Sequence, residues 1–188
     1  MSNVKKFELT SEVKMYFGTK LFRIKALIKF GDVDAEELGG WIEKEGNLDQ
    51  SGNAWVYGDA WVSGDARVFG DAWVSGDARV YGDAWVSGDA RVCGNARVFG
   101  DAWVSGDARV KKITHLLQIG LIGSRNATTT FFRAKTNQIY VACGCFLGDM
   151  DTFEKAVHEK HGGTKHEKTY MLAIELAKAQ IELDEANG

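Results

Sequence analysis

The side chains able to do chemistry in this chain of 188 residues fall into a scattered group and a regular one. The scattered group lies after residue 110. Cys143 and Cys145 alternate along an expected strand and so project to one side, while His158 and His161 stand three apart on an expected helix. Together they are four side chains of zinc-ligand type. Cys-x-Cys is not the usual zinc-knuckle spacing, however, and a small apolar Cys is commonly plain core, so no metal or other cofactor is expected. Ser124-Arg125-Asn126 follows two glycines and offers a phosphate or carboxylate backbone N–H donors and a guanidinium fork. The plainer reading is a polar turn over the end of the preceding repeat.

The regular group lies in Gly52 to Lys111, where six residues recur as Gly-Asp-Ala-x-Val-x. Stacked at a period of eighteen, Trp55, Trp73, Arg91 and Arg109 share one outward column. Trp61, Arg79 and Arg97 share a second, and Arg67, Trp85 and Trp103 a third. Indole and guanidinium planes then meet, each contact contributing ~0.5 to 1 kcal/mol on an exposed wall. Such columns either cover the walls and nothing more or bind a partner, because aromatic and Arg side chains dominate binding hot spots. At the corners Asp59 stacks with Asp77, Asp65 with Asp83 and Asp101, and Asp71 with Asp89 and Asp107. Like charges one rung apart repel. Capping of turn N–H groups is the expected remedy, ahead of ion pairs with wall Arg residues or bound calcium, for which the repeat lacks paired acidic ligands.

These columns require a particular scaffold. In extended backbone Ala and Val two apart face one side and their neighbours the other, and Gly-Asp is turn chemistry. Strand-turn units of six residues fit a triangular coil of three hexapeptides, a left-handed parallel β-helix in a mainly β protein. Disorder does not fit, because Val, Trp, Phe and Tyr fall in strict register. The spacing of Val56 to Ala60, repeated to Val104 and Ala108, resembles the hexapeptide-repeat family, whose acyltransferases use a catalytic His. His115, His158, His161 and His166 all lie outside residues 38–110 and no insertion breaks the repeat, so an enzyme is not expected. Traced backwards through Leu38 and Ile42, Lys44 and Leu48, and Gln50 and Ala54, the register gives four coils, with Ile42 and Leu48 at the Ala position. At ~4.8 Å per coil the prism is about 20 Å tall.

An open coil needs a cap. Residues 1–37 supply an amino-terminal β cap: Leu21 to Phe30 alternates as a half-buried strand, and Val13 to Phe17 is its hairpin partner across Gly18-Thr19-Lys20. Residues 38–112 form the β-helix, and 113–188 a small α+β module. In that module Thr128 to Ala134 and Gln138 to Phe146 pair around Lys135-Thr136-Asn137, and two helices start at Asp151-Thr152-Phe153-Glu154 and Thr164-Lys165-His166-Glu167. Tyr170, Ile174, Ala177 and Ile181 make one apolar stripe, and Met171, Leu172, Leu176 and Leu183 widen it, which predicts a homo-oligomer, dimer or trimer.

Composition excludes several classes. The net charge is −3 and residues 51–110 hold eight Asp against five Arg, so nonspecific nucleic-acid binding is not expected. No apolar run is long enough for a bilayer. Three Cys do not make a disulfide framework, which fits a reducing cytoplasm. The stretch Leu38-Gly39-Gly40-Trp41-Ile42-Glu43, with Leu21 to Leu27 and Phe30 to Val33 before it, resembles the entry to YdcK-like hexapeptide-repeat proteins of bacteria and their phages. The resemblance covers roughly residues 20–110, and Ile122 to Asn126 with Cys143 to Phe146 resemble a tail of phage repeat proteins. It implies a left-handed β-helix of largely unassigned role, often phage-encoded; with the Trp and Arg walls, the expectation is a non-enzymatic binding protein that blocks or sequesters a host protein of a defence system. The other reading is a nucleotide or small-phosphate binder working through Arg125 and its neighbours in the carboxyl-terminal module.

Overall fold

The computed structural model describes residues 4–184. Strands β1 (Phe7–Tyr16) and β2 (Thr19–Ala26) form a hairpin, and β3 (Leu38–Ile42) opens the solenoid. Ten two-residue strands, β4 to β13, then recur every six residues from Trp55–Val56 to Arg109–Val110. They pair in parallel into three walls. Wall one stacks Trp41, Trp61, Arg79 and Arg97; wall two Trp55, Trp73, Arg91 and Arg109; wall three Arg67, Trp85 and Trp103. Leu48 bridges to Val68 below wall three and completes a fourth rung there. The result is a parallel β-solenoid of four coils.

Repetition dictates this shape locally. Every Ala and Val of the repeat from Ala54 to Val110 is buried, so the interior is a column of small and β-branched side chains. Each corner Gly from Gly52 to Gly106 has a φ between 59 and 76°, a conformation costly for residues with a Cβ. Rungs are joined by backbone hydrogen bonds, such as Trp61 N to Ala78 O at 3.1 Å and Asp77 N to Gly94 O at 2.9 Å.

The first coil departs from the expected register. Trp41 and Ile42 lie beside Trp61 and Val62, twenty residues on, whereas later rungs are eighteen apart. Ile42 and Leu48 therefore take the Val position rather than the Ala position. Gly40 stands before Trp41 as Ala60 stands before Trp61, and a Cβ on Gly40 would lie 2.6 Å from Ala60 O. The two extra residues sit in the corner between Leu48 and Ala54. Lys44 and Gln50, expected to point inward, do not. Lys44 pairs with Asp65 at 2.6 Å, and Gln50 Oε1 accepts from the N–H groups of Lys6 and Phe7 at 2.8 and 3.3 Å.

The amino-terminal hairpin closes one end by adding β2, antiparallel, to the free edge of β3. Its turn is Phe17-Gly18, one residue earlier than expected, and both residues have positive φ, as in two-residue hairpin loops. β2 stops at Ala26, and Phe30, expected to extend it, bridges to Val33 with its ring 5.3 Å from Trp55. Lys6, 2% exposed, threads into the wide corner, where Nζ donates to the carbonyls of Ser51, Gly52 and Ala54 at 3.2, 3.4 and 3.0 Å.

The other end is closed by an antiparallel sheet of β14 (Leu116–Ile122), β15 (Ala127–Arg133), β16 (Ile139–Cys143) and β17 (Phe146–Asp149). Alternation along β15 sends Phe132 into the solenoid core, while Phe131 faces α1 (Met150–His161) and α2 (Lys165–Gln180). β14 was not foreseen. The first helix is capped by Asp149, which accepts from Thr152 N, two residues before the expected start. Thr164 caps the second as expected. Tyr170, Ile174, Ala177 and Ile181 are buried against the chain's own sheet and α1, so the stripe that motivated an oligomer is occupied within the chain; Leu172 and Leu176 stay exposed. No helix among the described residues is long and apolar enough to cross a membrane.

Candidate functional site

The three walls differ in how much of their Trp and Arg they present. On wall two the Arg91 guanidinium lies 4.0 Å from the Trp73 ring, but Trp55 is fully buried, with Phe7 and Phe30 over it. Trp55 is thus core rather than binding surface. The cap covers it, and only the second coil's Trp73 reaches the wall. Arg109 donates to the backbone carbonyls of Asp89 and Ala108, both at 2.8 Å. On wall three Trp85 is 45% exposed and meets Phe69 edge to face, Arg67 is exposed, and Trp103 is half-buried beside β15, its backbone N–H donating to Thr130 Oγ1 at 3.3 Å.

Wall three borders a hollow of 590 Å³ beside Arg67, Phe69 and Trp85, and wall one borders two. Tyr16 of the hairpin lies 4.8 Å from the buried Trp61 ring, and its hydroxyl accepts from Arg79, which also lies over both rings at 5.0 and 5.9 Å. Tyr81 and Phe99 stack at 5.5 Å with 14° between planes. A hollow of 340 Å³ runs between the hairpin tip and this wall, lined by Tyr16, Phe17, Trp61, Arg79, Tyr81 and Arg97 among others. A second, of 540 Å³, lies between Arg97, Phe99, Ile113 and Leu117 where the solenoid meets the carboxyl-terminal sheet. Arg97 borders both. Tyr16 and Phe17 were not among the candidate binding residues read from the sequence; a Phe in a two-residue hairpin loop, where Asn or Gly is usual, with Tyr16 just before it, was the available signal.

The corner Asp residues are exposed, and their carboxylates do not cap the turns as expected. Backbone bonds and left-handed glycines hold the corners instead. Among the described residues the contacts made by corner Asp side chains include the pair with Lys44 and a 2.7 Å bond from Asn53 Nδ2 to Asp71 Oδ1.

The scattered residues are sorted differently. Cys143 and Cys145 flank a tight turn in which Cys143 pairs with Phe146, so they do not share a strand face as expected. His158 faces Glu167. Among the described residues no three His, Cys, Asp or Glu side chains gather at metal distance. Yet Ser124, Arg125, Cys143, Cys145 and His161 all border one cavity of 270 Å³ between the sheet and α1, joined by Lys160, which sequence reasoning did not single out, and Tyr170, which it placed only on an apolar helix stripe. Asn126 is not among its lining residues. Thr129 Oγ1 donates to Cys143 Sγ at 3.3 Å, and the Tyr170 hydroxyl lies 3.7 Å from that sulfur. Burial and the Cys143 neighbour push the Tyr170 phenol up to about 12, so it remains a protonated donor at neutral pH.

Fold and surface together define the class: a parallel β-solenoid of hexapeptides, capped at both ends and presenting aromatic and Arg side chains. Within it, residues 60–76, 72–88 and 90–106 match the YdcK beta solenoid repeat. No curated protein matches the chain.

Proposed function

We propose that the protein is a non-enzymatic binding module that holds a partner protein against wall one. The observation that supports this reading is the meeting of the two hollows at Arg97, with Phe17, Tyr81 and Phe99 around them. Phe17 is 93% exposed and has φ 45°, so its ring is presented to solvent from a backbone conformation bulky residues rarely adopt. Folding of the chain gains little from it. Binding would gain more, since buried aromatic and Arg anchors carry most of the energy of protein interfaces. The likeness to repeat proteins of phages makes a bacterial host protein, such as a component of a defence system, the partner class to test, with occlusion of its surface as the mode of action.

Affinity capture from bacterial lysate tests this with four baits: the native chain, Phe17→Asp, Arg97→Glu, and Trp85→Ala on wall three as the control. Proteins held by the native chain and the control but lost from both wall-one variants, at unchanged melting temperature, are the expected result. Equal retention by all four baits would remove wall one as the site.

A further inference from the structure

We infer that the cavity between the carboxyl-terminal sheet and α1 binds a small organic anion with one planar ring. This inference stands apart from the reading of wall one. Arg125, Lys160 and His161 border the cavity, and its lining contains no carboxylate. Among the described residues, no Asp or Glu lies within ion-pair distance of any of these three. The Arg125 and Lys160 cations, gathered about one opening without carboxylate neighbours and with the His161 imidazole beside them, favour an anion.

The interior is of the opposite character. Phe146 and Phe153 lie 5.1 Å apart, and Phe153 meets Tyr170 edge to face at 5.6 Å. Aromatic walls take a ring by edge and face contacts, and the Tyr170 hydroxyl is the polar group among them. Two glycines leave room for the side chains that border the cavity. A Cβ on Gly123, whose φ is 74°, would lie 1.8 Å from the Tyr170 hydroxyl, so no other residue fits there with Tyr170 in place. A Cβ on Gly144 would come within 3.2 Å of Arg125 Nη1. The volume of 270 Å³ sets the size of the guest. A cavity of ~150 Å³ accepts benzene, so this one has room for a ring and one anionic group, and too little for a dinucleotide. An aryl carboxylate and a mononucleoside phosphate share that chemistry.

The test uses the full chain and the thiol at the cavity's edge. Cys145 is exposed and lines the cavity, while Cys93 lies in the solenoid, outside that lining, and serves as the internal control. Alkylation by N-ethylmaleimide, followed by mass spectrometry, is measured with phenyl phosphate, benzoate, adenosine 5′-monophosphate or inorganic phosphate present. Phenyl phosphate is expected to slow alkylation of Cys145 and leave Cys93 unchanged. The Arg125→Gln, Lys160→Gln double variant, both changes being at exposed side chains, is expected to need about 10- to 100-fold more phenyl phosphate for the same protection. Stronger protection by benzoate identifies a carboxylate guest, and stronger protection by the mononucleotide a nucleotide one. No protection by any of the three ring compounds at ~10 mM, a level far above ordinary affinities, overturns the inference. So does equal protection of the double variant, and protection by inorganic phosphate equal to that by phenyl phosphate removes the ring.

Discussion

In the solenoid a residue's direction depends on its place in a repeat of six; in the carboxyl-terminal module it depends on which neighbour happens to be opposite. Val80 and Val98 have the same surroundings one coil apart, both fully buried and paired side by side. Phe131 and Phe132 are adjacent and identical, yet one belongs to the helix-covered core and the other to the solenoid core. A repeating unit builds a long wall and repeats its surface, so distinct sites arise where something irregular meets it. Both hollows on wall one lie at such junctions, with the hairpin and with the carboxyl-terminal sheet, and the anion cavity lies wholly in the irregular part.

The strongest way to break this comparison is to attack the regular half. Val80→Asp places a carboxylate in an interior of Ala and Val that offers no partner, at a cost of several kcal/mol. Since each coil rests on its neighbours, the expected outcome is loss of cooperative melting by circular dichroism, with aggregation. A melting midpoint equal to that of the native chain would mean that the Val column is not the core.

The junction between the halves gives a smaller effect. Phe131→Ala and Phe132→Ala each empty a fully buried site and should each cost about 3 to 5 kcal/mol. Their consequences should part by location. Hydrogen exchange is expected to rise in the last coil, residues 93–110, for Phe132→Ala, and in α1 and α2 for Phe131→Ala. The same exchange pattern from both variants would show one shared core instead of two.

What was legible in the sequence follows the same division. The six-residue period fixes direction and stacking together, so the Trp and Arg columns could be written down before any coordinate. The period says nothing about what lies over a column, which is why Trp55 and Trp85 occupy equivalent repeat positions and end up fully buried and 45% exposed. The first coil was misread because two extra residues lie in a corner, where no side-chain alternation marks them. The cavity was half legible. Arg125 and the Cys-Gly-Cys turn carry chemistry that shows in one dimension, but Lys160 and Tyr170 are ordinary helix residues until α1 and α2 fold against the sheet.

The gentlest test concerns Lys6, the one place where the amino-terminal cap inserts a cation into the solenoid's wide corner. Burial lowers its pKa from 10.5 to about 8, against a weaker opposing pull from Asp49. The unfolded chain therefore binds more protons than the folded one between those values, and stability rises with pH through that interval. Lys14, also lowered by burial, acts in the same direction. Tyr57 and Tyr170, both raised to about 12 by burial, act in the opposite direction once pH passes the ordinary phenol value of 10.0. The window in which Lys6 dominates is pH 8 to 10. Across it the melting temperature of the native chain is expected to climb by about 2 to 4 °C, from a stability gain on the order of 1 kcal/mol. Lys6→Met keeps the stem and removes the titrating group, so it should flatten that climb and leave only the part due to Lys14. An equally steep climb in Lys6→Met would show that the buried ammonium is not what the cap is holding.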